Sequence, residues 1–370
     1  MGNYDCILPW NHVRVWQTGK IWPCCQFQGS DVPDDLNIEN GDFMNHPFMQ
    51  DIRQRMLEDK PVKGCSRCYR LERETGTSMR KDVNTGIFGG IGSGTHFAPI
   101  SADSESKLRY LELSLSNACN NSCRMCGPDL STHWYKDAKK MGIPIPKGIQ
   151  YNPLNKTDLS ELRYLKLLGG EPLLHEKEVN NILDRCNLQE LSLMLITNTT
   201  VRPTPATIER FKKVKNLTIT LSIDAYGTLN NFLRTGSDWE QVLENLHWFK
   251  DQGFAKITVH GVITIYNINC FMQLHEYCRD VVGVYNNFMV IEGPEYMRPR
   301  HLPQPVKQVL IDRYESFPQK TSFIKDAIYE LKQPGNWNTF VQMDQLLNGV
   351  RNETFKTYNP ELASLLIDNE

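Results

Sequence analysis

The stretch Leu113-Ser-Leu-Ser-Asn-Ala-Cys119-Asn-Asn-Ser-Cys123-Arg-Met-Cys126 places three thiols within eight residues, directly after an apolar run that begins at Leu108. The run 108–115 reads as a buried strand. A loop that leaves the C-terminal end of such a strand is where βα barrels gather their reactive groups. Three close thiolates can hold three corners of a cubane iron–sulfur cluster and leave the fourth iron open. A zinc site is the plain competitor, but zinc takes four ligands, usually in C-x2-C pairs, and no fourth Cys or His stands near these three.

Working outward from this segment, short apolar runs alternate with amphipathic stretches, the pattern of βα units on a parallel sheet. Strands are predicted at 108–115, 164–168, 191–197, 217–223, 256–265 and 287–291. Helices are predicted near 131–141, 177–186, 205–214, 239–252 and 269–281. Six such units with no seventh or eighth strand predict an α/β chain built as a partial (β/α)6 TIM-like barrel over 107–303. Helices near 306–314 and 323–331 open a C-terminal helical extension, 304–370, whose remainder looks less regular. Before the barrel, residues 1–83 are rich in Trp, Pro and Cys and show little periodicity beyond a short helical pattern near 48–57, so this small module needs a staple. The intervening 84–106 reads as a Gly/Ser-rich linker. Its glycines open no helix and lack a Lys-Ser/Thr ending, which argues against a phosphate-cradling loop.

The spacing C-x3-C-x2-C of Cys119, Cys123 and Cys126 resembles the signature of the radical S-adenosylmethionine (SAM) superfamily. The resemblance implies a catalytic 4Fe-4S cluster on these three cysteines and S-adenosyl-L-methionine bound to its open iron. Members usually carry an aromatic residue before the third cysteine; Met125 stands there and is a pliable apolar substitute for packing on the adenine. Other motifs extend the likeness. Gly169-Gly170-Glu171 after the second strand resembles the family's Gly-Gly-Glu motif, whose glycines admit the ligand backbone and whose carboxylate accepts from its ammonium group. Ser222 and Asp224 at the end of the fourth strand resemble its ribose motif, with a helix cap as the ordinary alternative. Arg234 resembles the arginine that holds the cofactor carboxylate, and Ile263 on the fifth strand lies where adenine usually packs. Asn198, after the third strand, is a further candidate contact.

The N-terminal cysteines have their own spacing. Cys6 is followed by Gly19, then by Cys24 after four residues, and Cys65 and Cys68 come about forty residues on. This resembles the auxiliary-cluster modules called SPASM and twitch domains, here placed before the barrel. The resemblance implies an auxiliary 4Fe-4S cluster on Cys6, Cys24, Cys65 and Cys68, with structural zinc as the competing occupant and Cys25 as a second candidate for the corner given to Cys24. Cys186, Cys270 and Cys278 sit singly in predicted helices and read as packing residues.

Composition excludes more than it selects. Lys+Arg 41 against Asp+Glu 43 gives a formal charge of -2, so no chain-wide positive field recruits nucleic acid. No apolar run approaches membrane-spanning length, and a cytoplasmic protein is expected. The functional expectation from the resemblance is an enzyme that cleaves SAM reductively to a 5'-deoxyadenosyl radical, which abstracts hydrogen from a substrate. That substrate is expected to be a peptide or protein side chain, with a flavodoxin or ferredoxin as electron donor. A dehydrogenase or epimerase of a small sugar or aminocyclitol is the rival, and a non-catalytic zinc-binding interaction protein is the reading from another class.

Overall fold

A computed structural model describes residues 2–29, 31–88, 91–92, 104–146, 154, 156–318 and 320–367. All six predicted barrel strands form: β3 (Tyr110–Ser114), β4 (Tyr164–Leu168), β5 (Ser192–Thr197), β6 (Asn216–Ser222), β7 (Lys256–Ile263) and β8 (Tyr285–Val290). Two N-terminal strands precede them, β1 (His12–Val15) and β2 (Ile21–Trp22), and the strand order in the resulting eight-stranded sheet is β8-β7-β6-β5-β4-β3-β1-β2. β1 lies parallel to β3, while β2 turns back antiparallel to β1. The architecture is the expected α/β sheet with C-terminal helices. The sequence reading did not anticipate that the N-terminal segment enters the sheet.

The chain divides into two compact units, one comprising 1–116, 148–195 and 203–218, the other 117–147, 196–202 and 219–370. In the first, the register aligns Arg14 with Glu112 and Glu112 with Lys166. Alternation along a strand then separates two faces. Val13, Val15, Leu111, Leu113, Leu165 and Leu167 form a fully buried apolar face, and His12, Arg14, Tyr110, Glu112, Tyr164 and Lys166 occupy the other. Helices Glu176–Asp184 and Pro205–Phe211 belong to this unit, as do Pro47–Leu57 and Ser66–Thr75 of the N-terminal segment. The proposed linker 84–106 falls largely outside the described residues; its described part includes an antiparallel pair, Ile87–Phe88 with Ile91–Gly92.

The second unit holds the cysteine loop, β7, β8 and the C-terminal helices. Helices Gln304–Glu315 and Ser322–Leu331 match the expected pair. Beyond them, where less regular structure was expected, stand Trp337–Arg351, Phe355–Tyr358 and Pro360–Ile367. The longest starts at a proper cap, the Asn336 side chain accepting from the Asn338 amide, and buries Phe340, Asp344 and Leu347. No helix among the described residues is long and apolar enough to cross a membrane.

Candidate active site

The cysteine loop is held by hydrogen bonds rather than by regular structure. The Ser122 amide donates to the Thr235 carbonyl (2.7 Å) and the Arg124 amide to the Leu233 carbonyl (2.8 Å), so the loop lies against the segment that carries Arg234. A turn closes it, the Cys126 amide donating to the Cys123 carbonyl at 3.0 Å. From the next element, Trp134 Nε1 donates to the Cys123 carbonyl at 2.7 Å. Asn117 Nδ2 donates to the Pro128 carbonyl and to the Tyr135 hydroxyl, tying the loop's beginning to its end.

None of Cys119, Cys123 and Cys126 is in a disulfide; Cys123 is buried and the other two are half-buried. Their sulfurs sit among donors. The Asn121 amide reaches Cys119 Sγ at 3.5 Å and Asn198 Nδ2 reaches it at 3.8 Å, while Arg234 Nη1 lies 4.0 Å from Cys123 Sγ. The Cys126 thiol donates to Cys123, which lowers the Cys123 pKa, and the Arg234 guanidinium lowers it further. Cys126, as the donor and a buried group, is pushed the other way. The lowered Cys123 pKa and the N–H donors aimed at two of the sulfurs suit an iron–sulfur ligand set. The side chain of Asn121, 0% exposed and between two of the cysteines, has no hydrogen-bond partner for either Nδ2 or Oδ1. A buried amide left bare in the loop that carries the thiols fits a loop shaped around a group it wraps. No three His, Cys, Asp or Glu side chains among the described residues converge as ligands of a single metal ion. A cubane, which offers each thiolate its own iron, does not require such convergence.

The other sequence candidates are distributed between the units. Asn198 joins the cysteines: Nδ2 donates to Asn120 Oδ1 at 2.7 Å and Oδ1 accepts from the Thr200 amide at 3.0 Å. Asp224 is fully buried, with Oδ1 accepting from the Val262 amide at 2.8 Å and Oδ2 lying 2.8 Å from Arg234 Nε. Asp224 and Arg234, expected to hold sugar and carboxylate separately, thus neutralise each other, because a carboxylate with no exposure needs a cation beside it. Ser222 is half-buried at the end of β6, Ile263 is fully buried at the end of β7, and Met125 is half-buried in the loop. Gly169, Gly170 and Glu171 belong to the first unit. Gly169 and Gly170 both have positive φ (85° and 54°). A Cβ on Gly169 would lie 2.5 Å from Ser114 Cβ and 2.7 Å from Ser114 Cα, so this position admits no side chain. Glu171 Oε1 accepts from the Leu173 amide at 3.0 Å.

The N-terminal cysteines also lie in the first unit. The hairpin between β1 and β2 turns through Gly19 (φ 79°), which delivers the chain to Cys24. Burial raises the Cys6 thiol, and Cys65 and Cys68 raise it further. Burial pushes Cys65 up to about 12, with Cys68 adding to the effect. Cys24, also raised by burial, feels Cys25, Cys65 and Cys6. Cys25 has different company. Its sulfur lies 3.6 Å from Met79 Sδ, and burial and then Glu112 push it up to about 11, so it is turned toward the strand carboxylate.

Sequence reasoning missed the charged row beside Cys25. Glu112, 2% exposed, accepts on Oε1 from Arg14 Nη1 and Lys166 Nζ, each at 3.0 Å, and Arg14 Nη2 donates to Ser114 Oγ at 2.9 Å. His12 Nδ1 meets the Pro23 carbonyl at 2.9 Å, while its Nε2 faces Glu112 Oε2 across 3.9 Å, neither with a hydrogen-bond partner. A signal was present: Glu112 and Lys166 each interrupt an apolar strand run at its middle, which alternation places on one face.

Residues 113–278 match the model of the radical SAM superfamily. No curated protein is significantly similar in sequence. Among solved structures, the chain is similar to anSMEcpe with bound AdoMet at 16% identity, with a TM-score of 0.38 over 55% of this chain and 59% of that one. It is also similar to Streptococcus suis SuiB bound to S-adenosylmethionine, at 18% identity and a TM-score of 0.33 over 53% of this chain and 41% of that one. SuiB bound to its precursor peptide SuiA aligns over 82% of this chain and 67% of its own length, at 15% identity and a TM-score of 0.37. The chain thus spans well under two thirds of the first two of these proteins. The cysteine triad stands near the head of the segment that matches the radical SAM superfamily, a segment of somewhat under half the chain.

Proposed function

We propose that Cys119, Cys123 and Cys126 hold the catalytic cluster and that Cys6, Cys24, Cys65 and Cys68 hold an auxiliary one. The substrate we propose is a peptide or protein side chain, supplied with electrons through a flavodoxin or ferredoxin. The observation that carries the catalytic part is the triad itself: three thiols outside any disulfide on a hydrogen-bonded loop, with Asn121, Asn198 and Arg234 directed toward the sulfurs of Cys119 and Cys123. When bound, the cluster and SAM supply a one-electron cleavage of the sulfonium that yields a 5'-deoxyadenosyl radical.

The protein's own residues have three tasks. The donors to Cys119 and Cys123 withdraw electron density from the sulfurs, which favours the reduced cluster. Burial of Cys123, Asp224 and Ile263 keeps water from the reacting groups. The row Arg14, Glu112 and Lys166 ties neighbouring strands of the first unit together through paired charges. At the second site, the mutual influence of Cys6, Cys24, Cys65 and Cys68 supports these four as one ligand set, and the turn of Cys25 toward Glu112 supports Cys24 as the ligand of the adjacent pair. The peptide assignment draws on the resemblance of the N-terminal spacing to SPASM and twitch modules.

The test is anaerobic iron–sulfur reconstitution, iron and zinc counting, and a dithionite-driven assay for 5'-deoxyadenosine. About eight irons per chain with SAM cleavage supports the reading, since each cubane brings four. Zinc at the N-terminal site with about four irons would remove the auxiliary cluster, and zinc at both sites without cleavage would remove the enzyme.

A further inference from the structure

The cysteine loop is fastened in part by residues that the family match does not reach, Tyr296 and Arg351. Four consecutive carbonyls of the loop each accept from a side chain. Ser131 Oγ donates to the Asn121 carbonyl (2.5 Å), Arg351 Nη2 to Ser122 (2.8 Å), Trp134 Nε1 to Cys123 (2.7 Å) and the Tyr296 hydroxyl to Arg124 (3.5 Å). Arg351 does more than hold one of them. Its Nη1 donates to Thr235 Oγ1 and its Nε to Asp137 Oδ2, both at 2.8 Å, and its guanidinium lies 4.7 Å over the Trp134 ring. One side chain therefore holds the Ser122 carbonyl, backs the indole that holds the Cys123 carbonyl, and fixes the residue whose carbonyl accepts the Ser122 amide.

Arg124, one of the two residues between the second and third cysteines, is tied to the same helix. Arg124 is 0% exposed and lies 3.7 Å over the Phe232 ring. Its Nη2 donates to Asn348 Oδ1 at 2.8 Å and to Glu353 Oε1 at 2.7 Å, and its Nη1 meets the Tyr266 hydroxyl at 3.4 Å, which in turn donates to Asp344 at 2.7 Å. A buried guanidinium needs such partners, and here Asn348, Glu353 and Asp344 come from the C-terminal helix Trp337–Arg351 or the turn after it.

We propose that this C-terminal segment is a brace that sets the geometry of the catalytic cysteine loop, with Arg351 and Glu353 as positioning residues for Cys123 and Cys126. The proposal rests on the triad holding a cluster. Partners that orient metal ligands are worth about 10–100-fold in metal affinity. An Arg351→Ala chain is therefore expected to release the triad's irons to a chelator at least about tenfold faster than the parent. It should also show a broadened electron paramagnetic resonance signal on SAM addition. Arg351→Lys, which keeps the charge but loses the fork, should fall between the two.

The full-length chain is reconstituted anaerobically, and chelator-driven iron release is followed alongside the melting temperature, with Cys126→Ala as reference for the triad's irons. Parent-like release and spectra in a folded Arg351→Ala chain overturn the brace. If that variant does not fold, Glu353→Gln decides: it keeps the shape and removes one charge from Arg124, so release about fivefold faster is expected, and a parent-like rate overturns the proposal. If the parent and Cys126→Ala carry equal iron, the triad reading has failed instead, a result separate from any outcome for Arg351.

Discussion

Replacing Glu112 with Gln keeps the side-chain shape and leaves one buried cation, Arg14, and one half-buried cation, Lys166, without their anion. Glu112 accepts from Arg14 and Lys166 at 3.0 Å each and is 2% exposed. Burial by itself would raise its carboxyl, yet Lys166, Arg14 and His12 together hold it at about 2 against an ordinary 4.5. At about 1.4 kcal/mol per pH unit, that difference is worth about 3 kcal/mol to the folded state at neutral pH. Removing one partner of a buried pair costs about 3–5 kcal/mol by an independent route, so the two figures agree. Lys166, with 18% of its side chain exposed, can recover some hydration; Arg14, at 6%, cannot. Glu112→Gln is therefore expected to lose about 3 kcal/mol at pH 7.5. Lys166→Met alone should lose about 1 kcal/mol, and the double variant should lose less than the sum by at least about 1 kcal/mol. Anaerobic urea unfolding of the four proteins, followed by circular dichroism, measures the cycle. A Glu112→Gln loss under about 1 kcal/mol, or strict additivity, would refute the reasoning.

Cys126→Ala should abolish 5'-deoxyadenosine formation and leave about four irons on the N-terminal site, checked by iron analysis and chromatography of the products. Replacing Cys65 and Cys68 together should leave SAM cleavage intact and stop conversion of substrate, and a normal product yield would contradict a catalytic auxiliary cluster. His12 is held neutral, its pKa lowered by burial from 6.5 to about 4. The unfolded chain therefore takes up a proton that the folded one refuses, and stability should fall as pH drops from about 6.5 and level off near 4. His12→Asn should flatten that part of the urea midpoint profile between pH 7 and 5; an unchanged slope would show that His12 does not titrate on unfolding.

Much of the barrel was legible because parallel strands buried on both sides read as continuous apolar runs. Leu193 to Ile196 could scarcely be anything else, and β3 to β8 formed where expected. β1 and β2 were not legible. Four and two residues long, they are too short for periodicity, and β1 alternates His12 and Arg14 with its valines, so its apolar content reads as that of a loop. The helix Trp337–Arg351 was hidden for another reason: Asn, Gln and Thr fill its sequence, and its buried positions include Asp344, which packs through a hydrogen bond from Tyr266 rather than through apolar area. At the site, the cysteine spacing declared itself, because three thiols within eight residues have few uses. The residues that shape the loop did not. Arg351 lies more than two hundred residues from the carbonyl it holds, a relation that only the folded chain displays. Asp224 and Arg234 were each visible as polar residues near strand and helix ends, but their pairing depends on the turn after β6 meeting the segment after helix Thr228–Leu233.

The most direct test of the account is electron–nuclear double resonance on the dithionite-reduced, reconstituted chain, with SAM labelled by oxygen-17 in its carboxylate. If the triad leaves one iron open, the label should couple to the cluster in the parent chain and the coupling should vanish in Cys126→Ala. A parent chain that binds SAM, carries a reduced cluster on the triad and shows no such coupling would contradict it.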